Sequence, residues 1–219
     1  MKSSLFALTI ALFSGSTIAG NTIKFDYVGA GYAKHKLEDM PSQGGYTVEA
    51  SKKFADRWVA SAQYSSTSDT GDFSSSIEME TNTDYWSIGG AYLISQDDNS
   101  VFELAASFNR LEIDNKIIKS KYDLYIDNAS IGRGQNVNYR YTDHTNTHTL
   151  KANYHYAFAE SVNLVAGIGY EYLTNAEQKH ELFYQVGVNY NFAQNFTLSA
   201  LYRNIDIYET QSITLRYNF

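Results

Sequence analysis

His144 and His148 stand four residues apart, with Asp143 beside the first. On a helix that spacing presents two imidazoles on one face, as a zinc site requires. On a strand the two share a face but lie ~13 Å apart, too far for a single ion. The segment therefore reads as a polar turn between strand segments, and no metal is expected. His144 with Asp143 and a nearby threonine is also the one grouping that offers a base and an acid for nucleophilic catalysis. No serine stands in place to complete it, so the chain is expected not to be an enzyme. Cysteine is absent, which excludes disulfides and thiolate ligands. Residues 65–83 are rich in Ser, Thr and acids (Asp69, Asp72, Glu78, Glu80) but do not follow calcium-loop spacing. No cofactor is expected.

A second set of polar residues stands out only through the elements that carry them. Apolar and aromatic side chains recur at every second position: Tyr46, Val48, Ala50; Trp58, Ala60, Ala62, Tyr64; Trp86, Ile88, Gly90, Tyr92, Ile94; Phe102, Leu104, Ala106, Phe108. Later runs do the same from Leu150 to Phe158, Val162 to Tyr172, Leu182 to Phe192, Phe196 to Tyr202 and Ile213 to Phe219. Period two is the signature of a strand with one apolar face. With Ile23, Phe25 and Tyr27 as a first strand, the count is ten. The opposite face then carries Lys24, Asp26, Glu49, Gln63, Glu103, Asn109, Lys151, Asn153, His155, Glu171, Glu181, Gln185, Asn189, Arg203, Thr214 and Arg216. Within it Glu49, Lys151 and Arg203 are expected near mid-height, with Glu103 and Arg216 closer to one end.

Three turns share one form, an aromatic, an alanine, two polar residues and an apolar residue. They are Phe54-Ala55-Asp56-Arg57-Trp58, Phe158-Ala159-Glu160-Ser161-Val162 and Phe192-Ala193-Gln194-Asn195-Phe196; a fourth short turn covers 96–100. Composition agrees with a β-rich chain: 19 Tyr, 12 Phe and 2 Trp suit strands and membrane interfaces, and a single proline suits long ladders. The formal charge of -7 argues against a nucleic-acid partner. Met1 and Lys2, the apolar run 5–13 and the small residues up to Ala19 read as a secretory signal peptide over 1–19, too short to span a membrane as a helix.

The last strand alternates polar Ser212, Thr214, Arg216 and Asn218 with Ile213, Leu215, Tyr217 and Phe219. Tyr217 and terminal Phe219 resemble the C-terminal assembly signal of bacterial outer-membrane proteins, although Thr214 stands where that pattern often has glycine. The chain thus resembles the small Gram-negative outer-membrane barrels of the OmpA-barrel, OmpX-like and porin-like kinds. The resemblance implies an all-β fold, a closed antiparallel up-and-down transmembrane barrel over 20–219, with no domain after it. Ten strands are favoured, with twelve and then eight as alternatives. Closure pairs the strand around Phe25 with that around Leu215, because in hydrocarbon every backbone group needs an internal partner. Residues around 114–147 are expected to form a protruding extracellular hairpin with its tip at 128–134.

Two functional classes remain. One is a structural or surface-interaction barrel with a largely packed, charged lumen (Glu49, Glu103, Lys151, Arg203, Arg216), since a barrel of about eight to ten strands is nearly filled by side chains. The other is a narrow porin-like channel for small or anionic solutes, akin to oligosaccharide-specific small porins if there are twelve strands. A lipid- or peptide-directed enzyme is a distant third. Lys116, Lys119, Lys121 and Arg133 cluster near the hairpin, where lipopolysaccharide phosphates would meet them. The implied partners are outer-membrane lipid, lipopolysaccharide and the barrel-assembly machinery, with the chain a monomer in the outer membrane.

Overall fold

Backbone pairing organises the whole chain. The computed structural model describes residues 23–37, 42–74, 77–120, 124–126, 129–131, 136–174, 179–206 and 208–219. The expected signal peptide and most of the hairpin tip lie outside the described residues. The strands are β1 (Tyr27–Leu37), β2 (Gln43–Phe54), β3 (Trp58–Ser74), β4 (Ile77–Gln96), β5 (Ser100–Ser120), β6 (Leu124–Ile126), β7 (Ala129–Ile131), β8 (Asn136–Ala159), β9 (Val162–Leu173), β10 (His180–Ala193), β11 (Phe196–Ile205) and β12 (Tyr208–Asn218).

Ten of these form one closed antiparallel barrel, and β6 pairs only with β7. The seam is β1 against β12, running from Tyr27↔Asn218 through Ala30↔Leu215 to Leu37↔Tyr208. The twelve-strand and eight-strand alternatives therefore fall. β5 and β8 remain paired from Ser100↔Tyr156 out to Lys119↔Asn136, whereas β9 meets β8 only as far as Thr147↔Leu173. The wall is thus taller along β4, β5 and β8 than along β11 and β12, which turn at Ile205↔Tyr208.

The outer face is apolar. Leu182 and Ile168 are 77% and 70% exposed, which hydrocarbon tolerates and water does not reward. Rings gather at both margins of this band. Trp86, Phe108, His148, Tyr172 and His180 stand in sequence across five strands, with centroids 5.3–6.4 Å apart. At the short-turn end, periplasmic in barrels of this type, Trp58 meets Tyr92 at 5.0 Å and Phe196 meets Tyr217 at 5.5 Å. The turn at 54–58 places Ala55 at a φ of 55°, in the left-handed region that a tight connection uses.

One expectation is overturned. Ile23, Phe25 and Tyr27 do not face outward. Val28, Ala30 and Tyr32 hold the exposed phase of β1, so Tyr27 points inward. A one-residue change of phase moves every side chain to the other face. Ile23 and Phe25 precede β1 and pack inside against Val59, Ala91, Leu93, Val101 and Ala105. Lys24 and Asp26 are tied to the rim instead. The Lys24 ammonium donates to the Gln194 carbonyl, and Asp26 Oδ1 accepts the Lys53 N–H at 2.6 Å.

The seam depends on a missing side chain. A Cβ on Gly31 would lie 1.9 Å from the Ile213 carbonyl oxygen and 2.6 Å from Thr214 Cα. Backbone cannot yield there without loosening β1 from β12. Gly31→Ala should destabilise the refolded barrel by about 1–3 kcal/mol in urea unfolding. Gly90→Ala, whose nearest contact is 3.6 Å away, should stay within about 0.5 kcal/mol.

Candidate functional site

Inward side chains form three layers. At the short-turn end the layer is apolar: Leu93 and Val59 are buried, with Ile23 and Phe25 packed on them. At the other end Phe183, Ile205 and Tyr208 are buried, and Leu37 packs against them. Between these lies the charged layer, around a cavity of about 240 Å³.

Glu49 on β2 and Arg216 on β12 are separated by a whole strand, yet they meet. Both are in register with Gly29 of β1. Gly29 has no side chain to keep them apart, and a Cβ there would lie 3.0 Å from Arg216 Cγ and 3.2 Å from Glu49 Cγ. Arg216 Nε donates to Glu49 Oε1 at 2.7 Å and Nη2 donates to Oε2 at 3.2 Å, a two-pronged pair. Thr214 Oγ1 also donates to Glu49 Oε1 at 2.6 Å, and Arg216 Nη1 donates to Asn189 Oδ1 at 3.1 Å. The guanidinium lies 4.2 Å from the centre of the Tyr27 ring, a favourable placement for a cation over an aromatic face.

Arg203 on β11 reaches across β10 in the same way. Its Nη2 donates to Glu171 Oε2 of β9, and its Nη1 donates to the Tyr208 hydroxyl at 3.2 Å. Tyr208 in turn donates to Glu171 Oε1 at 3.1 Å. The guanidinium lies 4.0 Å from the centre of the Phe183 ring. Glu103 on β5 anchors a third group. It accepts from Asn153 Nδ2 at 2.7 Å, and His155 Nε2 lies 3.3 Å from its other oxygen. Gln185 Nε2 donates to Asn153 Oδ1 at 2.7 Å, extending the chain to β10. Phe25 closes the edge of His155, with ring centroids 5.5 Å apart.

The grouping expected from sequence, Glu49 with Lys151 and Arg203, is not what the barrel assembles. Glu49 joins Arg216 at one level, because strand tilt and stagger replace distance along the chain with register around the wall. Arg203 joins Glu171. The Lys151 side chain makes no ion pair and no hydrogen bond among the described residues. Tyr27, the aromatic platform for Arg216, and Tyr208, which links Arg203 to Glu171, were missed. Tyr208 could have been found, since it shares the inward phase with Thr210, Ser212, Thr214 and Arg216. Tyr27 could not, because its own alternation points to the opposite face.

The outer candidates separate similarly. His148 lies between Phe108 and Tyr172 in the outer aromatic row. His144 donates its backbone N–H to Asp143 Oδ1 at 2.7 Å. Among the described residues no three His, Asp or Glu side chains could hold a metal ion. Lys116 stands in register with Arg140 on the tall wall. Arg140 pairs with Asp114 at 2.5 Å, and this hydrogen bond holds the Asp114 carboxyl below the usual carboxylate range. The Lys119 backbone pairs with Glu78 and Asn136; Lys121 and Arg133 lie outside the described residues. Tyr217 and Phe219 face outward, with the Lys52 ammonium 4.8 Å from the centre of the Phe219 ring.

The sequence matches no family model, and no curated protein matches it. Solved structures do resemble it. The outer-membrane protease OmpT of Escherichia coli aligns over 90% of this chain and 99% of its own, at 11% identity and a TM-score of 0.50. The β domain of the Bordetella autotransporter BrkA aligns over 90% and 100%, at 10% identity and a TM-score of 0.50. The attachment invasion locus protein Ail of Yersinia pestis aligns over 90% and 99%, at 13% identity and a TM-score of 0.43. The likeness to OmpT and BrkA is one of fold, and that fold is the outer-membrane β-barrel.

Removing one member of the Glu49–Arg216 pair strands the other nearly dry. Arg216→Met should cost about 3–5 kcal/mol in urea unfolding of the refolded barrel. Adding Glu49→Gln should recover part of that loss. Strict additivity of the two substitutions would mean that the pair does not brace the seam.

Proposed function

We propose that this chain is an integral outer-membrane barrel whose lumen does not conduct, and that it works as a structural and surface-interaction protein through its tall outer wall. The observation that carries this reading is the packing of Ile23 and Phe25 onto Val59, Ala91, Leu93, Val101 and Ala105 across the periplasmic mouth. An apolar layer there supplies no groups to replace an ion's hydration. The paired arginines support it further, because both guanidiniums are held by carboxylates rather than offered to a moving solute. Successive strand residues point to opposite faces, so Asp143 and His144 do not converge on a reaction centre, which supports a non-enzymatic role.

Lipopolysaccharide is the proposed partner at the outer leaflet. Lys116 and Arg140 side by side on the tall wall favour it, and Lys119, Lys121 and Arg133 extend the same positive stretch in sequence. Tyr217 and Phe219 are proposed as the signal read by the barrel-assembly machinery, and the monomer as the working form. A narrow anion channel is the second reading, favoured by the charged cavity beside Lys151.

Refolded protein in planar bilayers should give no steady openings, with folding checked by heat-modifiable gel mobility. The Ile23→Ala/Phe25→Ala double variant should then show openings that the parent lacks. Reproducible conductance from the parent would sink the closed-lumen reading. Separately, changing Lys116, Lys119, Lys121 and Arg133 together to Gln should lower the lipopolysaccharide retained on purification several-fold; equal retention would remove that partner.

A further inference from the structure

We infer that the lumen holds a binding site for one small oxyanion, a carboxylate or a phosphate, with the Lys151 ammonium as its principal donor. Lys151 projects inward from β8, and its in-register neighbours are Ala105 on β5 and Gly169 on β9. Neither has a side chain that can accept a hydrogen bond. The carboxylates that could reach it are already engaged. Glu171 is held by Arg203 and Tyr208, and Glu103 by Asn153 and His155. Among the described residues the ammonium is therefore left with three donors and no hydrogen-bond acceptor, on the wall of a cavity of about 240 Å³ that has room for an acetate or an inorganic phosphate.

A second donor faces the same space. Thr149, one inward step from Lys151, has its oxygen occupied by the Asn109 amide at 2.8 Å, which leaves its hydroxyl proton to give. Arg203 lines the cavity as well, with its guanidinium already held by Glu171 and Tyr208. An oxyanion answers what this arrangement lacks: negative charge and several acceptor lone pairs at one point. A cation or a neutral apolar molecule would leave these donors unanswered. The bland alternative is that Lys151 only balances Glu103 across the cavity, and the test separates the two.

The experiment is isothermal titration of inorganic phosphate, and in parallel of acetate, into the refolded full barrel in neutral detergent. Saturable binding of one anion per barrel is expected with at least one probe; the tighter probe identifies the phosphate or the carboxylate as the group recognised. Lys151→Met should weaken binding about tenfold or more, as loss of a charge-assisted hydrogen bond implies, while Lys151→Arg stays within a few-fold. Ala105→Glu, which hands Lys151 an internal carboxylate, should abolish binding with Lys151 still present. No saturable heat with either probe overturns the site, and so does unchanged affinity in either Lys151→Met or Ala105→Glu, each first shown folded by its gel mobility. The site stands apart from the closed-lumen reading: a conducting barrel that binds through Lys151 removes that reading and leaves the site.

Discussion

The requirement that a hydrocarbon solvent imposes on the backbone governs everything else in this molecule. A peptide group without a partner in lipid costs several kcal/mol, so β1 must find β12, and the sheet must close. Closure then fixes register around the ring, and register fixes which side chains share a level inside. Glu49 and Arg216 are 167 residues apart in sequence. They are neighbours only because the seam brings Gly29 between them. The ion pair is a consequence of closure, and because it spans β12, β1 and β2 it also holds the seam shut.

The same geometry explains why the lumen can carry charge at all. A buried ion pair is weak evidence for stability, since desolvation offsets much of its attraction. Here each guanidinium gains more than a carboxylate. Arg216 lies over Tyr27 and donates to Asn189, and Arg203 lies over Phe183 and donates to Tyr208. With most lone pairs and protons satisfied, the charges act as cross-braces between strands that have no covalent neighbour relation. The apolar layers at either end flank these pairs. Lys151 lacks all of these supports, which is why it reads as a binding group and the arginines do not.

Much of the barrel was legible in the sequence because period two is a local property. From Tyr46 onward, apolar residues on alternate positions specify their face without knowledge of any partner strand, and the short turns divide them into strands. The first strand failed for an equally local reason. Two alternations overlap there, Ile23-Phe25-Tyr27 and Val28-Ala30-Tyr32, and nothing in the residues themselves says which phase meets lipid. The tertiary context decides, since Val59 and Leu93 need cover at the mouth and only the first phase can supply it. The inward charges were legible as a set. Their pairing was not, because a partner across a barrel is chosen by stagger and by small residues such as Gly29 and Gly169, whose importance is invisible until the ring is closed.

The uneven wall is the other product of closure that sequence patterning only partly anticipates. Once β11 and β12 turn at Ile205 and Tyr208, the inner surface on that side is capped by Phe183, Ile205 and Leu37. On the opposite side β5 and β8 continue together beyond the last contact with β9. A strand pair that leaves the membrane gives up its lipid solvent and must tolerate water on both faces. The residues change accordingly. Above the aromatic row the outward positions of β5 and β8 become Arg110, Glu112, Asp114, Arg140 and Thr142, joined by the Arg140–Asp114 and Arg110–Glu112 pairs. Apolar solvation below and ion pairing above are thus two answers to one continuous ladder, and the row from Trp86 to His180 marks where one gives way to the other.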